Sequence, residues 1–445
     1  MLILVTGATG YIASRLIPQL LDRGHTVRAL ARRPHQIGPR NWSSQISIFP
    51  GDVMNPASLA PALKDVHTAY YLIHNMSSGH GYTKLEIQAA HNFAVAAEEA
   101  GVQHIIYLGG LADPEQYIAP HLRSRIETGA TLRQGRVPVT EFRAGVIAGA
   151  GSISFEMIRF MTELMPIIPG PKWLKNKTQP IAIQNVIDYL LAALDNHDGY
   201  GQIFEIGGPE ITTYKDLMLR YARIRGHKRT FVLLPCVPIW FMAFGIELMT
   251  PVPRPIARAL VEGLSSDSVI LHNDAHETYP EVDLVDFESA TKEALTRLHP
   301  LKVERIWESD FGSLPEKTSE VYVSILKHEG FFIDHREIKI DAGSGEVFAA
   351  LTNLKMRRFI VDTIEPNHLL LLRSQRKTPG EGWVEWRVGQ IANSPQGGNV
   401  TYLTQTAYFT PRGLVGFLYW YLLYPFRAIF FRRLLKRIVR NSVVK

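Results

Sequence analysis

The stretch that decides the fold is LILVTGATGYIASRL, Leu2 to Leu16. An apolar strand runs into a glycine turn, and a helix-period segment leaves it. Gly7 and Gly10 let the backbone bend sharply and come close to a ligand, because no Cβ stands in the way. The helix that follows presents unpaired N–H groups and the positive end of its dipole, which suit a diphosphate. Ala13 stands where a small residue allows helix to pack on strand. Strand, loop and helix in this order read as the start of a dinucleotide-binding unit rather than an incidental turn.

Outward from the loop, apolar strands alternate with helical segments. Strands are expected at 2–6, 26–31, 46–49, 69–74, 104–109 and 139–143. The helical stretches YIASRLIPQLLDRG and KLEIQAAHNFAVAAEEAG each close on a glycine suited to a C-terminal cap. This alternation predicts an α/β, doubly wound parallel sheet of Rossmann type. From about 150 to 300 the pattern becomes helical, with one further strand in GQIFEIGG, and this region is expected to form a small substrate-binding part. SDFGSLPEKTSE (309–320) reads as a linker. Beyond it, FFIDHREIKI, HLLLLRSQ, GWVEWRVGQI and NVTYLTQTAYF are strand-like. The turns KTPGEG and ANSPQGG separate the last three, and a long helical stretch over 412–440 ends the chain. The expected domains are therefore 1–308 and 321–445, the second an α+β domain of antiparallel sheet and terminal helix.

The second strand ends in Ala31, Arg32 and Arg33. A site for NAD(H) would end this strand in a carboxylate that holds the ribose 2′-hydroxyl. Two guanidinium groups instead bind a 2′-phosphate and stack on adenine. The expected cofactor is NADP(H).

Composition sets wider bounds. The chain has 445 residues, 46% apolar and 20% charged, which are globular values calling for two domains. A single cysteine, Cys236, excludes an internal disulfide and a cysteine-cluster metal site. No metal is expected: His272 and His276 have helical spacing, but no third ligand is in sight. The net charge of +6 is uneven. Residues 386–445 hold nine Lys and Arg and no carboxylate, so residues 1–385 sum to −3. Nucleic acid is therefore not an expected partner. The N-terminus has neither a basic n-region nor a long apolar run, so a cytoplasmic location is expected.

Several motifs resemble the atypical extended short-chain dehydrogenase/reductases: TGATGYIA, ARRP, GDV at 51–53, YLIHNM and YLGGL. The likeness covers about residues 1–300. PHLRSR, FRAGVIAGAGSISFEMIR, TQPIAIQNV, TPVPRPIAR and PRGLVGFLYWYLLYPF resemble the branch that carries a C-terminal, helix-grip-like domain of unknown function. The resemblance implies that Gly7, Thr9, Gly10, Tyr11 and Ile12 border the diphosphate and that Asp52 and Val53 border the adenine. It places Ile73 and His74 near the ribose or nicotinamide, with Gly109 also beside the cofactor. Two departures stand out. Redox-active relatives carry Tyr-x-x-x-Lys on the helix after the fifth strand and a serine at that strand's end. Here those places hold His121, Arg125 and Gly109–Gly110. The C-terminal domain also lacks a few dozen residues that relatives use for additional helices.

His121 and Arg125, four apart in PHLRSRIET, share one helix face. An imidazole can donate a proton near neutrality. A guanidinium can steady an oxyanion or a ribose hydroxyl. The other reading places His121 in a first turn opened by Pro120, with Arg125 paired to solvent or to Glu127 or Glu141. His74, Tyr71 and Tyr82, at the end of the fourth strand, read as packing or ribose contacts.

The apolar runs 231–249 and 414–431 reach bilayer-spanning length, but Pro235, Pro238, Pro425 and Arg427 interrupt them, so no transmembrane helix is expected. In the tail, Phe431, Leu434, Leu435 and Ile438 share one face and Arg432, Arg433, Lys436, Arg437 and Arg440 the other. This pattern fits the terminal helix of an α+β domain. It also fits peripheral contact between 427–440 and an anionic membrane on its inner face. The expected function is an NADPH-dependent reductase acting on a small or lipophilic carbonyl or conjugated C=C compound. The alternative is a non-catalytic NADP(H)-binding sensor or assembly factor, resembling NmrA-like regulators.

Overall fold

The computed structural model describes all residues except 39, 75–81, 235–236, 305–320, 355–357, 391–400 and 444–445. The expected 309–320 linker, Cys236 and the ANSPQGG turn lie outside the described residues, as does the side chain of Tyr82. The chain divides into two units. The first holds Met1–Thr162 and Ile167–Thr296, and the second holds Glu163–Pro166 and Arg297–Lys445. The division falls after Thr296, so Arg297–Val303 joins the second unit rather than the first.

In the first unit seven strands form one parallel sheet: β1 Leu2–Thr6, β2 Thr26–Ala31, β3 Ser47–Pro50, β4 Thr68–Tyr71, β5 His104–Gly110, β6 Val139–Ala144 and β7 Ile203–Ile206. Their order is β7-β6-β5-β4-β1-β2-β3. The direction of winding reverses between β1 and β4, and the carboxyl ends there open the crevice in which such sheets bind ligands. The Thr6 hydroxyl spans that gap. It donates to the Tyr70 carbonyl at 3.0 Å and accepts from the Leu72 amide at 3.1 Å.

Helix α1 (Tyr11–Asp22) follows β1 and buries Ala13, Leu16, Ile17 and Leu20 against the sheet. Helix α2 (Tyr82–Glu99) packs on the other face, where Phe93 meets Tyr71 at a centroid distance of 5.0 Å. Both helices stop as the sequence indicates: Gly24 (φ 78°) and Gly101 (φ 73°) take the left-handed conformation after the last turn. Helix α3 (Pro120–Leu132) follows β5, α4 (Ile153–Leu164) and α5 (Ile183–Ala192) follow β6, and α6 (Tyr214–Ile224) follows β7. The region after 150 is less purely helical than expected. Thr230–Leu234, inside an apolar run, forms a strand parallel to Ile167–Pro171. Helices α7 (Ile239–Met249) and α8 (Arg254–Gly263) come next.

The second unit is a six-stranded antiparallel sheet. Its strands are β8 Tyr322–His328, β9 Phe331–Ile340, β10 Phe359–Glu365, β11 Leu369–Ser374, β12 Gly380–Gln390 and β13 Thr401–Pro411, in the order β8-β9-β13-β12-β11-β10. Helix α9 (Ser344–Thr352) and the C-terminal α10 (Gly413–Leu422) and α11 (Tyr424–Val443) complete it. Phe431, Leu435 and Ile438 of α11 enter the core with Trp386 and Leu403. Asp334 is fully buried and binds Arg336 at 2.9 Å and Arg427 at 3.4 Å. The Arg427 guanidinium lies 3.5 Å from the Trp420 ring centroid, so its charge meets both a carboxylate and a π face.

Candidate active site

The glycine loop fits a diphosphate. Gly7 has φ 64°, and a Cβ there would come within 2.7 Å of the Leu72 carbonyl oxygen. The Gly10 amide donates to the Gly7 carbonyl at 2.7 Å, closing the turn at the head of α1. Arg40 braces the loop from outside, donating to the Thr9 carbonyl at 2.9 Å. Sequence reasoning missed Arg40, because nothing in the local pattern ties it to a loop thirty residues earlier. Arg32 and Arg33 lie exposed just past the end of β2, and neither forms an ion pair among the described residues. Asp52 is occupied locally: its Oδ1 accepts from the Met54 amide at 3.0 Å. Val53 is buried, and its carbonyl accepts from Asn92 at 3.0 Å.

From the loop a cavity of about 300 Å³ runs across the strand ends. Gly7, Gly10, Tyr11 and Ile12 line one part, and His74, His121 and Arg125 line the middle. Ile73 belongs instead to a niche of about 20 Å³ between His74, Glu86, Tyr107, Arg125 and Thr128, room for about one water. At the end of β5 the cavity position is held by Gly110 and not by Gly109. Successive residues of a strand face opposite ways. A Cβ on Gly109 would meet the Tyr107 ring and Glu141, whereas one on Gly110 would meet Leu122 and Arg125. The absence of a side chain at Gly110 leaves room for the Leu122 and Arg125 side chains against the strand end.

His121 is placed as the sequence suggests, in the first turn of α3, but it is poorly suited to proton donation. The residue is 5% exposed, and its Nδ1 is buried with no partner. Burial first, and the Arg125 charge second, push its pKa down to about 4. The ring is therefore neutral at neutral pH. His74, unlike His121, is solvent-exposed where it lines the cavity. Burial first, and Arg125 second, lower its pKa to about 4 as well.

Arg125 does not pair with Glu127 or Glu141. Glu141, fully buried, is held by Arg133 and by Arg143 at 2.7 Å. The Arg125 Nε is buried without a partner, and among the described residues its side chain has no ion pair. The Tyr107 hydroxyl donates to the Arg125 main-chain carbonyl at 2.9 Å, which fixes the helix on the strand. Helix α3 has neither Tyr nor Lys. The arrangement supplies an unpaired positive charge and neutral hydrogen-bonding rings.

The far part of the cavity is apolar and rich in methionine: Met157 and Met161 from α4, Met218 from α6, and Met242 and Ile246 from α7. Gly263 at the end of α8 lets the His121 ring pack closely, since a Cβ there would stand 2.8 Å from Cε1. Periodicity alone did not reveal this chamber, because its methionines come from three separate helices. Among the described residues no group of three His, Cys, Asp or Glu side chains is placed to hold a metal ion.

This geometry accords with what the chain is similar to. It is 26% identical over 278 residues to (4-alkanoyl-5-oxo-2,5-dihydrofuran-3-yl)methyl phosphate reductase of Streptomyces griseus, spanning 59% of this chain and 85% of that one. The structure of an NADPH-dependent quinone oxidoreductase from Escherichia coli complexed with NADPH superposes with a TM-score of 0.54 at 19% identity, covering 66% of this chain and 99% of that one. Citrobacter sp. triphenylmethane reductase complexed with NADP(H) gives 0.53 at 19%, with the same coverage of 66% and 99%. At such identities the likeness establishes the fold. Residues 335–434 match a model described as a protein of unknown function (DUF2867). Residues 1–261, more than half of the chain, match the NmrA-like family model, and the chain belongs to that family.

Proposed function

We propose that the protein is an NADPH-dependent reductase of a lipophilic carbonyl or conjugated C=C compound. The observation that carries this reading is the continuity of one cavity. It begins at the glycine loop, passes Arg125, and ends among methionines, with about 300 Å³ in all. Helix α7 supports the lipophilic part. It is apolar on both faces, with Met242 and Ile246 towards the cavity while Trp240, Phe241 and Phe244 are exposed. The similar reductases that act with NADPH or NADP(H) support the reaction class.

When bound, NADPH supplies a hydride. The chain does the rest. Main-chain amides after Gly10 hold the diphosphate. Arg32 and Arg33 hold the 2′-phosphate, where each charge-assisted hydrogen bond is worth about 1.5–3 kcal/mol. Arg125 stabilises negative charge growing on the substrate oxygen. His121 and His74, both neutral, orient the substrate by hydrogen bonds. The proton comes from water reaching the niche beside Arg125.

The test is paired titration and turnover. The double variant Arg32→Asp/Arg33→Asp should weaken NADPH binding about 100-fold or more and change NADH binding less than threefold, since two such hydrogen bonds are lost only with the phosphorylated coenzyme. Equal losses for both coenzymes would refute the assignment. NADPH consumption with quinones, enones and lipophilic aldehydes tests the reaction. Binding without turnover across that panel favours a sensor, a reading supported by the absence of Tyr and Lys from α3.

A further inference from the structure

The second unit carries a surface that its own fold does not use. The inner sides of α10 and α11 are fully engaged. Trp420 stacks on Phe409 with centroids 5.5 Å apart, and Phe431, Leu435 and Ile438 enter the core. The outer side is apolar and open: Val415 is 67% exposed, Leu422 70% and Phe426 71%, with Leu418, Ile429 and Phe430 also exposed. These residues form a strip along both helices, which are bent by 54° at Leu423.

Beyond Phe430 the character changes within one turn. Arg432, Arg433, Lys436, Arg437 and Arg440 are exposed, and none forms an ion pair among the described residues. No carboxylate follows Glu385 in the sequence. An apolar strip that continues into a row of unpaired cations is complementary to one kind of surface, an anionic lipid headgroup layer over an acyl region. A second copy of the chain is a poorer match, because a symmetric contact would bring two cationic rows together. Among the described residues no single helix is long and apolar enough to cross a bilayer.

We propose that α10 and α11 dock on the surface of an anionic phospholipid bilayer. The strip Val415–Phe430 inserts at the headgroup boundary, and the cations 432–440 lie over the phosphates. This inference is independent of the cofactor and of the reaction.

The experiment is flotation of the full chain with vesicles of phosphatidylcholine alone or with 30% phosphatidylglycerol. Binding to the anionic vesicles at low salt is expected, falling at least tenfold in 0.5 M NaCl or with phosphatidylcholine alone. Leu422→Asp/Phe426→Asp should reduce binding at least tenfold while leaving circular dichroism and melting unchanged, since both side chains are exposed. Arg433→Glu/Lys436→Glu should do the same by the electrostatic route. Three results would overturn the proposal. One is no binding to anionic vesicles at low salt, and another is undiminished binding by either double variant. The third is a dimer in light scattering that Leu422→Asp/Phe426→Asp dissociates without changing flotation, which would make the strip an interface between copies.

Discussion

The protonation of His121 limits what the candidate site can do, and acidification tests it. In the unfolded chain a histidine titrates near pH 6.5. In the fold His121 is held to about 4, by burial first and by Arg125 second. A depressed folded pKa means that between these two values the unfolded state binds more protons. The contribution is therefore fully present above pH 6.5 and is lost as pH falls towards 4. Linkage gives a loss of about 2 kcal/mol between pH 7 and pH 5 from this one ring. The measurement is chemical unfolding of wild type and His121→Asn at both pH values. Wild type should lose about 2 kcal/mol more than the variant, because other titrating groups are common to both. An NMR titration of the ring carbon resonances reports the same pKa directly. A ring that titrates near 6.5, or two proteins that lose stability equally, would refute the assignment. That outcome would also restore His121 as a candidate proton donor.

Further perturbations test other parts of the structure. Gly7→Ala places a methyl group at φ 64° and within 2.7 Å of the Leu72 carbonyl oxygen. The left-handed strain alone costs about 1–2 kcal/mol. The loop must shift, and NADPH affinity measured by calorimetry should fall at least tenfold; an unchanged affinity would show that the loop does not hold the diphosphate. In the second unit, Asp334→Asn leaves Arg336 and Arg427 without their buried carboxylate. Removing one partner of a buried pair costs about 3–5 kcal/mol, so urea unfolding should shift by that amount. A loss below about 1 kcal/mol would mean that the Trp420 ring and solvent suffice to hold Arg427.

Much of the first unit is legible in the sequence because its signals are local. Leu2–Val5, the two loop glycines and the capping glycines at 24 and 101 each depend on neighbours within a few residues. The places where reading failed depend on distant partners. Thr230–Leu234 sits in an apolar run with no alternation, and it becomes a strand only because Ile167–Pro171 lies beside it. Strands β8 and β10 went unread because they are edges. Tyr322, Val323 and Ile325, like Ile360, Val361 and Ile364, are exposed, so neither strand shows a buried face in its pattern. Pro425 does interrupt its apolar run: α10 ends at Leu422, α11 starts at Tyr424 at an angle of 54°, and Pro425 lies in the first turn of α11, where a missing N–H costs nothing. The site shows the same division. The loop and the Arg pair follow from type and spacing, whereas Arg40, Gly110 and the methionine chamber follow from packing.

That packing changes the meaning of the His121–Arg125 pair. Read as a dyad, the two residues divide acid and charge stabilisation between them. In the fold they cannot do both, because the guanidinium that steadies an anion also disfavours a second positive charge next to it. Arg125 has no carboxylate partner among the described residues to offset this, since Glu141 is taken by Arg133 and Arg143. The pair thus favours one chemistry, accumulation of negative charge on a bound oxygen, over proton release from an imidazolium. If the proposed reductase function holds, substrates whose reduced form spreads an anion over a conjugated system gain most from such a site, because they do not need the proton at the moment the charge appears. An unactivated ketone, whose alkoxide demands immediate protonation, gains least.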